Sequence, residues 1–429
     1  MKQFIAKLRF SEIFLVSLLF LIPIQTRILY SPDKAYVSWY FNYHLAFFVY
    51  LSDLFLILCF TAYWIERRET NVSQTIKWLI LAIILWASVS LLHVKHLDLG
   101  FYNLFKLVEL LGLMVIIPSI IAKKGLFKVA LWLILVAGVF QAVLGIWQFH
   151  VQHQLGLSWL GEYIAPLGTP GLATLDLFGQ KIIRAYGTFP HPNVLGGFLL
   201  FPLSAGFFLV SHETNNKKRL ILAIFLIIIT FGIFFSFSRI AWIGAIMLYA
   251  LALFYYIKNL MKPALISALL VLLISAMVMG LGYKSYIVSR ATDVKDTRSI
   301  NDRGLFNQFG IEAIKNSPFL GTGIGNYIPD LISRKSLEPW QYQPPHNVYL
   351  FQAAELGLVG LGLFLALVYQ IFKNAWSRWP KNETYFFLSL VFVLLLIGLF
   401  DHYLITVQQG KLTLFTALGL LLGSAKLND

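Results

Sequence analysis

The sequence predicts an all-α polytopic membrane protein with about twelve transmembrane helices. Three observations predict it. First, 58% of the 429 residues are hydrophobic, 13% are charged, and mean hydropathy is +0.73, whereas an ordinary soluble domain is about 25% charged. A soluble core cannot hide that much apolar surface, so the solvent is lipid. Second, apolar runs long enough to cross a bilayer recur along the whole chain. Third, the net positive charge concentrates in alternate short loops. A secreted globular enzyme, a disordered chain and a coiled coil are excluded.

The predicted spans are 10–29, 45–64, 77–92, 104–121, 127–149, 194–210, 219–237, 240–257, 263–282, 347–372, 383–400 and 404–423. The first follows a basic N-terminus, is long for a signal-peptide core and lacks a small-x-small cleavage site, so it reads as a retained helix. The last is interrupted by Lys411, which leaves a re-entrant or tilted ending open. The single cysteine, Cys59, lies in an apolar run. It excludes an internal disulfide and a Cys-ligated zinc.

With the N-terminus in the cytoplasm, the cytoplasmic segments carry 18 basic residues (Lys2, Lys7, Arg9, Arg67, Arg68, Lys77, Lys123, Lys124, Lys128, Lys217, Lys218, Arg219, Lys258, Lys262, Lys373, Arg378, Lys381, Lys426) and six acids (Glu12, Glu66, Glu69, Glu213, Glu383, Asp429), a net +12. The remainder of the formal +14 is only +2. The basic excess therefore reads as an orientation signal with both termini inside, not as a nucleic-acid footprint.

Two outer segments are long, about 150–193 and about 283–346. The second lies between helices 9 and 10 and holds 14 of the 54 charged residues. Loops of this length in a compact protein usually carry function. Asn301 or Asp302 is expected to cap a helix over 303–316. The chain reads as one membrane domain, 1–429, with 283–346 as an extracytoplasmic insertion.

Eight of nine histidines (His44, His93, His96, His150, His153, His191, His346, His402) fall at the outer side; His212 is inside. His93/His96 and His150/His153 have metal-compatible gaps but no nearby carboxylates or cysteines, so no metal site is expected. In Arg184-Ala-Tyr-Gly-Thr-Phe-Pro-His-Pro-Asn193, two prolines hold the chain extended and Asn193 is placed to cap the next helix. Arg184 needs an anion or a carbonyl cluster; lipid headgroups are the plainer answer. Arg239, in Ser236-Phe-Ser-Arg239, sits at the outer interface, where it can snorkel or line a polar cleft. Arg303 in a first helical turn opposes the helix dipole, which points to another use such as an anionic ligand. Gly321-Thr-Gly-Ile-Gly-Asn326 lacks a strand–turn–helix context, so it reads as a tight turn rather than a phosphate loop. Pro344-Pro-His-Asn-Val-Tyr-Leu350 returns the chain to the membrane with His346 at the surface. Glu355, nine residues on, is an intramembrane acid at a depth of about 13 Å in a regular helix, and such a group marks function or pairs with a neighbour. Lys106 and Glu109 can pair one turn apart. Trp159, Tyr163, Tyr186, Phe189, Tyr327, Trp340 and Tyr342 could stack on sugars or anchor the protein in the interface.

Arginines with one histidine at an outer lipid interface fit an anionic lipid-linked substrate. Guanidinium forks bind phosphate without a metal, and a histidine can take a proton from an attacking hydroxyl. Direct displacement of lipid diphosphate from an anomeric carbon would invert it.

Arg184…Gly187-Thr-Phe-Pro-His-Pro-Asn193, Ser238-Arg239, Arg303…Pro318-Phe-Leu-Gly-Thr-Gly-Ile-Gly325 and Pro345-His-Asn-Val-Tyr-Leu350…Glu355-x-Gly-x-x-Gly360 resemble the O-antigen ligase/O-antigen polymerase superfamily, which includes protein O-oligosaccharyltransferases. The motif region is about 180–365. The resemblance implies a GT-C-type glycosyltransferase of twelve helices, located in the cytoplasmic (inner) membrane and acting in surface polysaccharide or lipopolysaccharide biosynthesis. Its active site would face the periplasm or cell exterior. It implies an undecaprenyl-diphosphate-linked glycan donor, a glycan, lipid or protein acceptor, no cofactor and no metal. A polymerase would be accompanied by a chain-length regulator. His346 resembles the catalytic base, Arg184, Arg303 and Arg239 the diphosphate-binding arginines, and His191, Asn193, Asn347 and Glu355 their supports. The competing class is a transporter or flippase of lipid-linked sugars, which should place charges and broken helices at the midplane. Asp53, Lys106, Glu109 and Glu355 instead lie towards the outer half.

Overall fold

Each predicted apolar segment overlaps a helix in the computed structural model, which describes residues 8–169, 171–177, 179–292, 296–377 and 382–424. Among the topology-setting residues, Lys2, Lys7, Arg378, Lys381, Lys426 and Asp429 lie outside these. The structure is 72% helical, and the strands of the described residues form only three two-stranded antiparallel pairs. This is an all-α polytopic membrane protein.

In chain order the apolar helices are α1 (Phe10–Leu21), α2 (Leu51–Ile65), α3 (Gln74–Ser90), α4 (Leu97–Ile120), α5 (Lys124–Val151), α6 (Pro192–His212), α7 (Asn216–Phe235), α8 (Arg239–Lys258) and α9 (Lys262–Gly282). The second long loop contributes α10 (Lys284–Thr292), α11 (Asp296–Asn316) and α12 (Tyr327–Arg334). The chain then re-enters the bundle as α13 (Val348–Trp376), α14 (Asn382–Ile397), the single turn α15 (Tyr403–Thr406) and α16 (Gln408–Ser424). Eight of these, α3 to α9 and α13, have the length and hydropathy of a membrane span.

The ends of the bundle differ from the predicted spans for local reasons. The expected helix over 10–29 stops at Leu21, just before Pro23. The chain then runs extended as Arg27–Tyr30 and pairs antiparallel with Phe47–Tyr50, the first residues of the expected second span. The expected final span breaks at Val407, whose ψ of 134° is extended.

The central element is α6, with 94% of its span buried by protein. Its sequence permits this because small residues let neighbours approach closely. A Cβ on Gly197 would fall 1.8 Å from the Tyr403 hydroxyl, and one on Gly196 would meet Ser236 and Ala241. Pro202 inside α6 packs into the space left by Gly138 of α5. At one end of the bundle, buried Glu12 accepts from Arg68 (2.9 Å) and Lys123 (3.0 Å), tying α1 to the segments around α2 and α5. All three charges belong to the segments expected in the cytoplasm.

A break in α13 seats the glycine-rich segment. Gly357 has φ 69° and ψ 179°. The carbonyls released there are taken up by the Thr322 amide on Ala354 (2.8 Å), the Gly323 amide on Glu355 (2.9 Å) and the Trp86 indole on Leu356 (2.8 Å). The amides of Thr322 and Gly323 are thus spent on α13, as befits a docked turn. Gly357→Ala would put a Cβ 1.8 Å from the Phe319 carbonyl oxygen in a left-handed conformation. It is expected to cost about 1–3 kcal/mol or more, read as a lowered unfolding temperature in detergent, with unchanged temperature contradicting the assignment.

Candidate active site

Arg184 follows a hairpin, β1 (Thr174–Leu177) with β2 (Gln180–Ile183), that brings the chain over the α7–α8 turn. There the Ala185 amide bonds the Phe235 carbonyl at 3.0 Å. Arg184 is only 6% exposed. Its Nε donates to the Ser236 carbonyl (2.7 Å) and its Nη2 to Asn193 Oδ1 (2.9 Å). The next carbonyl in that turn, of Phe237, accepts from Arg290 Nε at 3.0 Å. Burial, followed by the charges of Arg290, Arg303 and Arg239, pushes the Arg184 pKa down to about 9, against an opposing effect of Tyr186. A buried guanidinium surrounded by other guanidiniums favours an anion among them. Arg239 opens α8 on the surface and is exposed.

Arg303 reaches this cluster for a different reason from the expected one. The helix begins at Asp296, not near residue 303, so Arg303 is well inside it and the first-turn dipole argument does not apply. Its position follows from the face it shares with Phe306, three residues on. Phe306 stacks on the His346 ring (centroids 5.9 Å, planes 24° apart), and Gly310 of the same helix lets Pro345 approach to contact distance.

His346 directly precedes the α13 cap. Asn347 accepts from the amides of Tyr349 (2.8 Å) and Leu350 (3.0 Å), and its own amide donates to the Leu399 carbonyl (3.1 Å). The Val348 amide bonds Gly398 at 2.7 Å. These bonds hold His346 against the α14–α15 turn, where Asp401 lies. His346 Nδ1 is 3.6 Å from Asp401 Oδ1. That is a few tenths of an ångström beyond a hydrogen bond, a looseness common before a substrate closes a site. Nδ1 is buried with no closer partner, while the side chain is 22% exposed overall.

Asp401 joins the two halves of the site. Its Oδ2 accepts from Asn193 Nδ2 at 3.0 Å and its Oδ1 from the His402 amide at 2.9 Å. Burial alone would raise its pKa, but His346, then His402 and Arg303, hold it well below the usual carboxylate range. One line of polar contacts therefore runs Arg184–Asn193–Asp401–His346. Asn193 is free to serve in it because the cap of α6 is not Asn193, as expected, but His191, whose Nδ1 accepts from the Asn193 amide at 3.1 Å. Burial first, then Arg184, Arg303 and His346, lower the His191 pKa to about 3 against the pull of Asp401, which keeps the ring a neutral acceptor.

The structure thus gathers His346, Arg184, Arg303, His191, Asn193 and Asn347, with Arg239 at the surface edge. Glu355 stands apart, lining another cavity with Lys411. Tyr186, Phe189, Tyr327 and Tyr342 are buried packing residues, whereas Trp159 and Tyr163 are each 68% exposed. Sequence reasoning missed Asp401 and Arg290. The signal for Asp401 was present: an acid beside a histidine in a very short outer turn. Among the described residues, His346, Asp401 and His402 present ligand atoms within 4.8 Å of one another and could hold a metal ion. In the structure, Asp401 is engaged as described and His402 Nδ1 faces Thr406 Oγ1 at 2.7 Å. One ring of each spaced histidine pair is otherwise occupied, His93 at the Gly321 carbonyl (3.1 Å) and His150 between the Ile146 carbonyl (2.8 Å) and the Tyr283 hydroxyl (3.1 Å).

Asp401→Asn is expected to lower turnover about 10²–10⁴-fold, since the imidazole loses its orienting negative charge. Because the folded carboxyl titrates below its unfolded value of about 4, the stability it contributes is complete above that pH and fades below it. Unfolding temperature measured between pH 7 and pH 3 should fall less steeply in Asp401→Asn than in wild type, and parallel curves would refute the role.

Residues 224–365, from within α7 to within α13, match the family model described as O-antigen ligase. That stretch contains Arg239, Arg290, Arg303, His346 and Glu355, while Arg184, Asn193 and Asp401 lie outside it. No curated protein matches the chain significantly. Among solved structures, a chain described under "Structural coordination of polymerization and crosslinking by a peptidoglycan synthase complex" aligns with 84% of this chain and 99% of its own, at 13% identity and a TM-score of 0.39. A likeness of that size does not bear on function.

Proposed function

We propose that this chain, whose residues 224–365 match the O-antigen ligase family model, acts in surface polysaccharide synthesis by transferring a glycan from a polyprenyl-diphosphate donor, undecaprenyl diphosphate in the bacterial case, to an acceptor hydroxyl. The reaction takes place at the outer face of the cytoplasmic membrane, on a twelve-helix GT-C-type scaffold with both termini inside. The acceptor is a sugar, lipid or protein hydroxyl, and a polymerase would work beside a chain-length regulator.

The observation that carries this reading is the hydrogen-bonded line from buried Arg184 through Asn193 to Asp401, next to His346. It couples an anion site to a base. With Nδ1 turned to Asp401, the exposed edge of His346 takes the proton of the acceptor hydroxyl. The acceptor oxygen forms its bond to the anomeric carbon from the face opposite the diphosphate. The anomeric carbon–oxygen bond breaks, and its electron pair leaves on polyprenyl diphosphate. Arg184 and Arg303, with Arg239 and Arg290 beside them, meet the departing charge. Asp401 stabilises the imidazolium until the proton passes to water. One displacement inverts the anomeric configuration, and the guanidiniums do the charge neutralisation that a divalent ion does elsewhere.

The test is reconstitution in proteoliposomes with polyprenyl-diphosphate glycan. Glycan transfer with release of polyprenyl diphosphate is the expected result. Passage of intact lipid-linked glycan across the bilayer without bond cleavage would instead identify a transporter.

A further inference from the structure

A second line of side chains leads away from His346. Its ring lies 4.9 Å from that of His402, which lies 5.7 Å from that of His44 (centroid distances). His44 lines an open cleft bounded by residues 43–50, α4, residues 325–328, α13 and the α15–α16 segment. The walls mix aromatic rings, among them Tyr50 and Tyr102, with the charged and amide groups of Glu355, Gln408 and Lys411.

Behind this cavity Lys106 is paired with two acids, of which Glu109 has no hydrogen-bond partner on either carboxylate oxygen. Lys106 bonds Asp53 and lies 3.6 Å from Glu109, and Gln408 Nε2 donates to Asp53 Oδ1 at 2.8 Å. Lys411 is different. Its ammonium forms no ion pair or hydrogen bond among the described residues and faces the cavity. A cation in the outer half of an apolar bundle is costly unless something polar meets it. The donor diphosphate is provided for by the arginines on the Arg184 side.

An aromatic wall with a lysine, a carboxylate and an amide around one open cleft suits a sugar ring. The C–H face packs on the rings, and the hydroxyls bond groups that both donate and accept. We infer that this cavity is the subsite for the acceptor sugar, with Lys411 and Glu355 binding its hydroxyls and its reacting hydroxyl presented to His346 past His44 and His402. The inference rests on the glycosyl-transfer reading and specifies what that reading leaves open, the place and chemical class of the acceptor. It makes the acceptor a saccharide rather than a protein side chain.

The experiment uses the full-length protein in lipid nanodiscs and two probes. One is the oligosaccharide released by mild acid from the host's lipid-linked repeat unit; the other is undecaprenyl diphosphate. Lys411→Met removes the ammonium with little change in size, and Ile405→Trp fills the cavity from its wall. Each variant is expected to bind the oligosaccharide about tenfold or more weakly, as for loss of one charge-assisted hydrogen bond, and to bind undecaprenyl diphosphate as wild type does. In turnover, Lys411→Met should raise the acceptor KM and leave the donor KM. Equal oligosaccharide affinity in wild type and both variants, or none in wild type, overturns the subsite. Wild type that binds the oligosaccharide but not undecaprenyl diphosphate overturns the transfer reading and keeps the sugar cavity.

Discussion

His346→Ala is expected to lower glycan transfer by about 10²–10⁴-fold, the usual contribution of a positioned general base. Affinity for undecaprenyl diphosphate should stay near wild type, because the arginines proposed to hold the diphosphate come from other elements: the segment after β2, the start of α8, α10 and α11. Folding should also survive. The His346 side chain is 22% exposed and its nearest approach to Asp401 is 3.6 Å, beyond a hydrogen bond, so its removal leaves the Asp401 carboxylate still accepting from Asn193 and the His402 amide. Single-turnover transfer, measured beside donor affinity and unfolding temperature, separates these effects. Wild-type turnover in a folded, donor-binding variant would remove His346 from the chemistry.

Arg184→Lys is the second large effect, and it separates geometry from charge. The guanidinium uses one plane to donate to both the Ser236 carbonyl and Asn193, with its remaining N–H groups available to an anion. An ammonium keeps the charge but is a point donor on a different stem and cannot span the same two acceptors while addressing a third group. Loss of about 10²–10³-fold in kcat/KM is expected, as when one preorganised donor to developing charge is removed. The orphaned carbonyl and Asn193 should also cost about 1–3 kcal/mol of stability. Steady-state kinetics at saturating acceptor reads the first, and thermal unfolding the second. Full activity in the lysine variant would reduce the arginine to a bulk charge.

The apolar helices and their order were legible in the sequence because lipid imposes a simple rule: a run of apolar residues long enough to cross must be helical. The departures occur where local chemistry overrode length. Pro23 and the Arg27–Tyr30 pairing shorten the first helix, and Gly357 breaks α13 so that the 318–323 segment can dock. In the site, His346, Arg184 and Arg303 were legible as isolated polar residues at re-entry points. Their grouping was not, because it depends on contacts across more than a hundred residues, such as Asn193 with Asp401. Asp401 itself was hidden by its setting, a two-residue polar interruption between apolar runs. The roles of His191 and Asn193 were exchanged for a related reason. Either residue can cap a helix, and only the position of Asp401 decides which one is needed elsewhere.

Metal-independent, inverting transfer from lipid diphosphate, as proposed above, is decided by one measurement on purified protein in proteoliposomes. Polyprenyl-diphosphate glycan of known anomeric configuration is turned over in excess chelator, and the new linkage is assigned by NMR. Undiminished turnover and an inverted anomeric centre are the expected result. A retained configuration, or turnover that vanishes with chelator and returns with a divalent ion at His346, Asp401 and His402, would contradict it.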